Sequence, residues 1–118
     1  MATKDTIVAY FDSLRRKDGW ENYFAADLVF TSFVSPTKRV SGRVAFLDAT
    51  KGFYRMILSL DVRSLVVEGD RACATTQYQL QPPAGLVFAS DVAEVFVVQD
   101  GRISSLEIYF DPTPYPRR

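Results

Sequence analysis

The chain contains no histidine among its 118 residues, and this absence limits its chemistry more than any residue that is present. It excludes Ser-His-Asp and Cys-His nucleophilic schemes, and it excludes most zinc and iron sites, which use imidazole ligands. Acid–base work must therefore fall to Asp, Glu, Tyr, Lys or a bound water. We expect no metal, nucleotide or other cofactor.

The rest of the composition limits the cellular compartment in which we expect the protein and the classes of partner that it can bind. Cys73 is the only cysteine, so no disulfide can form within the chain, and its strand-like surroundings indicate a small buried hydrophobe. Because 14 basic residues balance 14 acidic ones, nucleic acid is disfavoured as a partner. We expect no signal peptide, no membrane partner and a reducing, cytoplasmic setting.

The strongest structural signal is the stretch 86–111. Its centre, Asp100-Gly101, is typical of a tight hairpin turn, because glycine adopts a positive φ at no steric cost. The flanking runs are rich in Val, Ile, Phe and Tyr, which pack well on a pleated surface. The stretch therefore predicts two long strands at the centre of a curved antiparallel sheet.

The rest of the chain predicts helices before and around a meander of strands. Helices are predicted over 3–17, 20–24 and 42–58, and further strands over 28–34, 61–68 and 72–80. Three prolines then end the sheet and leave 112–118 as an exposed tail. This order indicates one α+β domain over 1–118, in which a cone-shaped curved antiparallel sheet packs on N-terminal helices around a pocket.

Several short motifs in this order resemble the nuclear transport factor two-like superfamily, in its SnoaL-like and ketosteroid-isomerase-like branch. The stretches that carry the resemblance are Tyr10 in the first helix, 24–29 (FAADLV), 41–43 (SGR), 53–55 (FYR), 99–103 (QDGRI) and 108–111 (IYFD). The resemblance covers almost the whole chain and implies a cystatin-like α+β barrel. It does not imply one activity, since this scaffold hosts isomerases, cyclases, epoxide hydrolases, dehydratases and binding modules.

Only part of the family's catalytic set has a counterpart in this sequence. Tyr10 and Tyr54 match the tyrosine pair that donates a hydrogen bond to a developing enolate in the isomerases. The general-base aspartate of that branch would fall at Ser32 and its second, protonated aspartate at Ala93, so both acids are missing. The resemblance therefore gives weak support to steroid isomerase activity. The epoxide hydrolases need an acid near the end of the last strand, where the nearest acids here are Glu107 and Asp111, so the resemblance gives weak support to this activity as well.

The family's strand register, combined with the two-residue alternation of strands, implies which side chains face the pocket. In the hairpin these are Asp91, Ala93, Val95, Leu106, Ile108 and Phe110, and in the strand before it Ala74, Thr76, Tyr78 and Leu80. The opposite face would carry Glu94, Phe96, Val98 and Tyr109 and is apolar enough to form a homodimer.

Asp91 is the residue that this register singles out. An acid on an apolar inner face suits a general base, with Tyr10 and Tyr54 as hydrogen-bond donors. Alternatively, Asp91 reaches solvent or an arginine near a strand end, and the tyrosines fill the core. The residues predicted to contact a ligand are Trp20, Phe24, Ser32, Thr76, Tyr78, Ala93, Leu106, Ile108 and Phe110.

Three functions remain open at this point. The first is binding of a small hydrophobic molecule in the pocket, with isomerase, cyclase or dehydratase chemistry that needs no metal. The second is a non-catalytic homodimeric module that binds a metabolite. The third is an interaction domain for a protein partner, for which the sequence offers no specific support.

Overall fold

The computed structural model describes residues 2–34 and 36–115, which form two helices on one face of a six-stranded sheet. The helices are α1 (Thr3–Arg16) and α2 (Arg43–Met56), with a short 3-10 helix at Trp20–Tyr23. The strands are β1 (Phe24–Ser32), β2 (Lys38–Ser41), β3 (Ile57–Glu68), β4 (Arg71–Leu80), β5 (Phe88–Gln99) and β6 (Arg102–Phe110). The predicted α+β class is confirmed, and the elements follow the predicted order except for the short strand β2, which that order lacks.

The strand order across the sheet is β2-β1-β6-β5-β4-β3. All neighbours are antiparallel except β1 and β6, which run parallel, so the sheet is mixed where the sequence predicted a purely antiparallel one. It does not close, because β2 and β3 lie at its two edges. Register shifts in three of the pairings bend the strands, and the resulting curvature produces a concave face toward the helices.

The core lies between this concave face and the two helices. Residues of α1 spaced three and four apart, including Ile7, Tyr10, Phe11 and Leu14, are buried against the sheet. Phe46 is the one fully buried side chain of α2, and its ring lies 4.7 Å from the ring of Phe24. The helical spacing of these four apolar residues of α1 in the sequence itself predicts such a buried face, and the structure confirms it.

A β-bulge in β6 decides which side chains of the central hairpin face the core. Val98 lies opposite Ile103, but the next pair along is Val97 with Ser105, so β6 contains one extra residue at Ser104. Without that residue Ile108 would lie opposite Ala93; with it, Ile108 lies opposite Glu94. Since cross-strand partners share a face, the bulge places Glu94 on the concave side.

The faces predicted for β5 are therefore wrong. The buried set is Val92, Glu94, Phe96 and Val98, and the outer set is Asp91, Ala93, Val95 and Val97. The predicted faces of β4 and of the second half of β6 are correct, because the bulge precedes Leu106. The extra residue in β6 thus explains why the observed faces of β5, and of no other strand of the hairpin, are the reverse of the predicted ones.

The described part of the tail follows the prediction only in part, because residues 112–114 are exposed and Tyr115 packs on the sheet. Tyr115 is not exposed: its ring lies 5.0 Å from that of Phe88 and 5.1 Å from that of Phe110, and its hydroxyl lies 2.8 Å from the Ser90 hydroxyl. Pro116, the last of the predicted tail prolines, lies outside the described residues. Among the residues described, no helix has the length and apolarity needed to cross a membrane.

Candidate functional site

A cavity of about 260 Å³ opens between α2 and the concave face of the sheet. Its walls are mostly aromatic and aliphatic, with hydroxyl groups, one ammonium and one carboxyl among them. The lining residues are Phe30, Ser32, Lys38, Val40, Phe46, Ala49, Thr50, Phe53, Tyr54, Val92, Glu94, Leu106, Ile108, Phe110 and Tyr115. A largely apolar cavity with few polar groups is typical of a small-molecule site.

Glu94 is the one acid in this lining, and it is only 4% exposed. The hydroxyl of Tyr78 donates to both carboxylate oxygens, at 3.0 Å to Oε1 and 2.9 Å to Oε2. Burial raises the pKa of Glu94 from 4.5 to about 7, even though the Tyr78 hydrogen bond and the nearby Thr76 hydroxyl lower it. Thr76 Oγ1 is itself buried and makes no hydrogen bond of normal geometry to a described residue.

The second polar group of the cavity is the Tyr54 hydroxyl, which lies 3.0 Å from the hydroxyl of Tyr10. This hydrogen bond lowers the pKa of Tyr54 and raises that of Tyr10, as expected if Tyr10 donates. Burial is the larger effect and raises the pKa of both phenols, so both keep their protons at neutral pH. With Tyr10 as the donor of the pair, the proton of Tyr54 is free to point into the cavity; with Tyr54 as the donor, it points to Tyr10.

The raised pKa of Glu94 predicts a stability that falls as pH rises. Unfolded Glu94 titrates near 4.5 and folded Glu94 near 7, so the folded chain binds more protons between these values. The free energy of unfolding should drop by about 3 kcal/mol across this window, mostly between pH 5 and 8. Urea denaturation of the unaltered protein and of Glu94→Gln, each at pH 5 and at pH 8, isolates this contribution. An equal pH dependence in the two proteins would contradict the burial of an ionisable Glu94.

The structure divides the residues that the sequence predicted for the site. Tyr54, Ser32, Leu106, Ile108 and Phe110 line the cavity. Tyr10, Tyr78, Thr76 and Phe24 are buried behind the lining, and Tyr10 and Tyr78 each hydrogen-bond to a residue that lines it. Trp20 stacks on Tyr54 at 4.1 Å and faces a separate groove on the other side of that ring.

Asp91 and Ala93 lie outside the cavity, so the prediction that they face it is wrong. The Asp91 side chain is 71% exposed, accepts a hydrogen bond from Gln77 Nε2 at 3.1 Å and lies 3.5 Å from Arg63 Nη1. This matches the alternative in which Asp91 reaches solvent and an arginine. Because its carboxylate lies outside the cavity and is largely exposed to water, Asp91 is not placed to transfer a proton to or from a ligand there.

Sequence reasoning missed Glu94 and most of the aromatic wall. One signal could have found the acid: the set Val92, Phe96 and Val98 around it is bulkier and more apolar than Ala93, Val95 and Val97. The larger apolar set is the one expected to pack on helices. No local pattern in the sequence indicated the contribution of Tyr115, which depends on how the tail folds over the sheet.

No three His, Cys, Asp or Glu side chains come together as a metal site within residues 2–34 and 36–115. The polar groups of the cavity are instead suited to proton transfer and hydrogen bonding. A carboxyl with a pKa near 7 and a protonated phenol can respectively remove a proton and stabilise a developing oxyanion.

Comparison with known proteins gives a consistent picture of the fold. The model of the SnoaL-like domain family matches residues 7–106. No curated protein matches the sequence. A solved structure from Kribbella flavida DSM 17836 is 28% identical, with a TM-score of 0.79 over 94% of this chain and 88% of that one.

Two further structures are similar at lower identity. A candidate isomerase from Bacillus subtilis is 22% identical, with a TM-score of 0.79 over 94% of this chain and 87% of its own. A candidate SnoaL-like polyketide cyclase from Jannaschia sp. CCS1 is 15% identical, with a TM-score of 0.79 over 98% of this chain and 93% of its own. At these identities the likeness extends to the fold alone.

Proposed function

The chain belongs to the SnoaL-like domain family, and we propose that it binds a small, mostly apolar carbonyl compound in the cavity and catalyses an acid–base reaction on it. The observation that carries the proposal is Glu94, a buried carboxyl in an apolar wall with its pKa raised to about 7. Burying an ionisable acid is costly in free energy, and groups with such shifts concentrate at functional sites. The polar network around Glu94 and Tyr54 supports the same proposal.

In this proposal Glu94 is the general base. Its carboxylate removes a proton from the carbon next to the ligand carbonyl, and a pKa near the working pH keeps both protonation states accessible. Tyr78 is a positioning residue, because its hydroxyl holds both carboxylate oxygens from behind the cavity wall. In the isomerase branch two aspartates act as acid and base, and this chain has Ser32 and Ala93 at their positions. In our proposal Glu94 supplies the missing carboxylate.

Tyr54 is the hydrogen-bond donor to the ligand carbonyl. Its phenol stabilises the negative charge that develops on the carbonyl oxygen as the proton leaves. In this arrangement Tyr10 is the donor in the hydrogen bond that the two hydroxyls share at 3.0 Å, which leaves the Tyr54 proton for the ligand. Proton removal beside a carbonyl is the step that isomerisation, cyclisation and dehydration share, so these three reaction classes fit the site.

Binding of a simple ketone at two pH values tests the binding half of the proposal. The probe is 4-phenylcyclohexanone, titrated into the protein at pH 6 and pH 8 by calorimetry. An apolar ligand removes water from Glu94 and so favours the protonated carboxyl. We expect the affinity to fall about tenfold from pH 6 to pH 8. The Glu94→Gln variant should show no such fall.

Asp91→Asn is the matched control, because it removes an exposed acid three positions away on the same strand. It should retain the pH dependence of the unaltered protein. Failure of the ketone to bind, or equal affinity at both pH values, would contradict the proposal.

Two sequence-based expectations stay predictions. Dimerisation through the outer sheet face gains support from two aromatic residues. The rings of Phe33 and Tyr109 stack with their centres 4.8 Å apart, yet Phe33 is 41% exposed and Tyr109 is 47% exposed. The larger residues first assigned to that face, Phe96 and Val98, are buried and cannot contribute. The cytoplasmic location likewise stays a prediction based on the single cysteine.

A further inference from the structure

One row of side chains crosses the sheet from its edge to Glu94. Lys38 of β2 lies opposite Ser32 of β1, Ser32 lies beside Ile108 of β6, and Ile108 lies opposite Glu94 of β5. All four residues line the cavity. The row therefore runs along one wall, with a cation at one end and the buried acid at the other.

The two ends of this row differ in their exposure to water. Lys38 is exposed on the edge strand, whereas Glu94 is buried at the centre of the sheet. Three strand spacings separate them, which is about 14 Å along the sheet, and less in a straight line because the sheet is curved. The wall between and above them is apolar, including Phe46, Ile108 and Phe110.

We infer that the ligand of this cavity is a carboxylate about 10 Å long, with its acidic group at Lys38 and its carbonyl near Glu94. The inference rests on the proposed function and names the substrate class of the same site. An apolar body fills the wall between the two ends. The exposed ammonium attracts the anion, and the neighbouring Ser32 hydroxyl is placed to donate to it.

The polarity of the row also fixes the direction of the ligand. A carboxylate placed beside Glu94 would face a like charge in a dry environment, which disfavours binding. At the Lys38 end the same group stays partly hydrated and loses little solvation. The acidic group therefore lies toward solvent and the reacting carbonyl lies in the interior.

Two probes of equal length test this inference. They are 4-(4-oxocyclohexyl)benzoate, whose ketone and carboxylate lie about 10 Å apart, and the corresponding primary amide, which has the same shape without the charge. At pH 7 and low salt, calorimetry should give an affinity about fivefold higher for the carboxylate, as is typical of a partly exposed ion pair. Raising the NaCl concentration tenfold should remove most of this difference.

Variants of β2 locate the cation that is responsible. Lys38→Gln should abolish the preference for the carboxylate, so that the two probes bind with equal affinity, while Lys38→Arg should retain the preference. Arg39→Gln is the matched control, because Arg39 is the next cation on the strand and does not line the cavity. It should retain the preference as well.

The outcomes separate this inference from the proposed function. Equal binding of the two probes to the unaltered protein overturns the carboxylate inference alone, as does a preference that Lys38→Gln leaves intact. If neither these probes nor 4-phenylcyclohexanone binds, the proposed function fails and the inference fails with it.

Discussion

Replacing Glu94 by glutamine is expected to slow hydrogen exchange beside a bound ketone by a factor of about 10² to 10⁴. The assay follows the hydrogens next to the carbonyl of 4-phenylcyclohexanone by proton NMR in D₂O, with protein present in catalytic amounts. Each exchange requires removal of one of these protons, and a positioned base contributes rate factors of this size. The glutamine side chain keeps the shape of the glutamate and lacks its basic oxygen.

The pH profile of the exchange gives an independent check. Only ionised Glu94 can accept the proton, so the rate should rise with pH and level off above about 7, while ketone affinity falls over the same range. Tyr78→Phe removes a hydrogen bond that lowers the pKa of Glu94, so the midpoint should move to higher pH. Loss of rate at every pH in that variant would indicate a structural defect instead.

Asp91→Asn serves as the control for the exchange assay. Its exposed position outside the cavity predicts a rate equal to that of the unaltered protein. Exchange that is unaffected by Glu94→Gln would remove Glu94 from the mechanism. Exchange abolished by Asp91→Asn would restore the assignment that the sequence first suggested.

Truncating Phe96 to Ala is expected to destabilise the protein by about 3 to 5 kcal/mol, the usual cost of removing a buried phenylalanine. Phe96 is fully buried on β5, and its ring lies 6.0 Å from the rings of both Tyr10 and Phe11 of α1. The substitution removes these two ring contacts between β5 and α1. Urea denaturation at a fixed pH measures the free energy of unfolding.

Val95→Ala is the matched control for this loss of stability, because Val95 immediately precedes Phe96 on β5 and lies on the outer face. It should cost about 1 kcal/mol or less. If Phe96→Ala does not fold, Phe96→Leu should still fold and be destabilised more than Val95→Ala. A larger loss for Val95→Ala than for the Phe96 variants would show that the faces of β5 are the reverse of those described.

The sequence was most informative where structure is set by local chemistry. The spacing of Ile7, Tyr10, Phe11 and Leu14 predicted the buried stripe of α1, because one helical turn repeats every 3.6 residues. Asp100-Gly101 predicted the central turn, and Asp100 and Gly101 both have positive φ in the structure. These signals, with the short motifs, were enough for the α+β class and the family.

The site was harder to predict because the alternation of β5 is ambiguous, and only the greater bulk of Val92, Phe96 and Val98 favours the face that carries Glu94. Each alternating set, Asp91-Ala93-Val95-Val97 and Val92-Glu94-Phe96-Val98, contains one acid among apolar residues. Alternation alone therefore cannot say which acid faces inward. Register decides it, and a shift of one residue exchanges the two faces.

The sequence by itself determined both helices, all strands except β2, and the lack of imidazole chemistry. Only the tertiary structure decided that Glu94 and not Asp91 is the buried acid, that β1 pairs with β6 in parallel, and that Tyr115 folds back onto the sheet. The physical reason is that these features depend on pairings between distant segments. The extra residue at Ser104 acquires its effect only when β6 lies beside β5, and no local pattern records which partner each strand has.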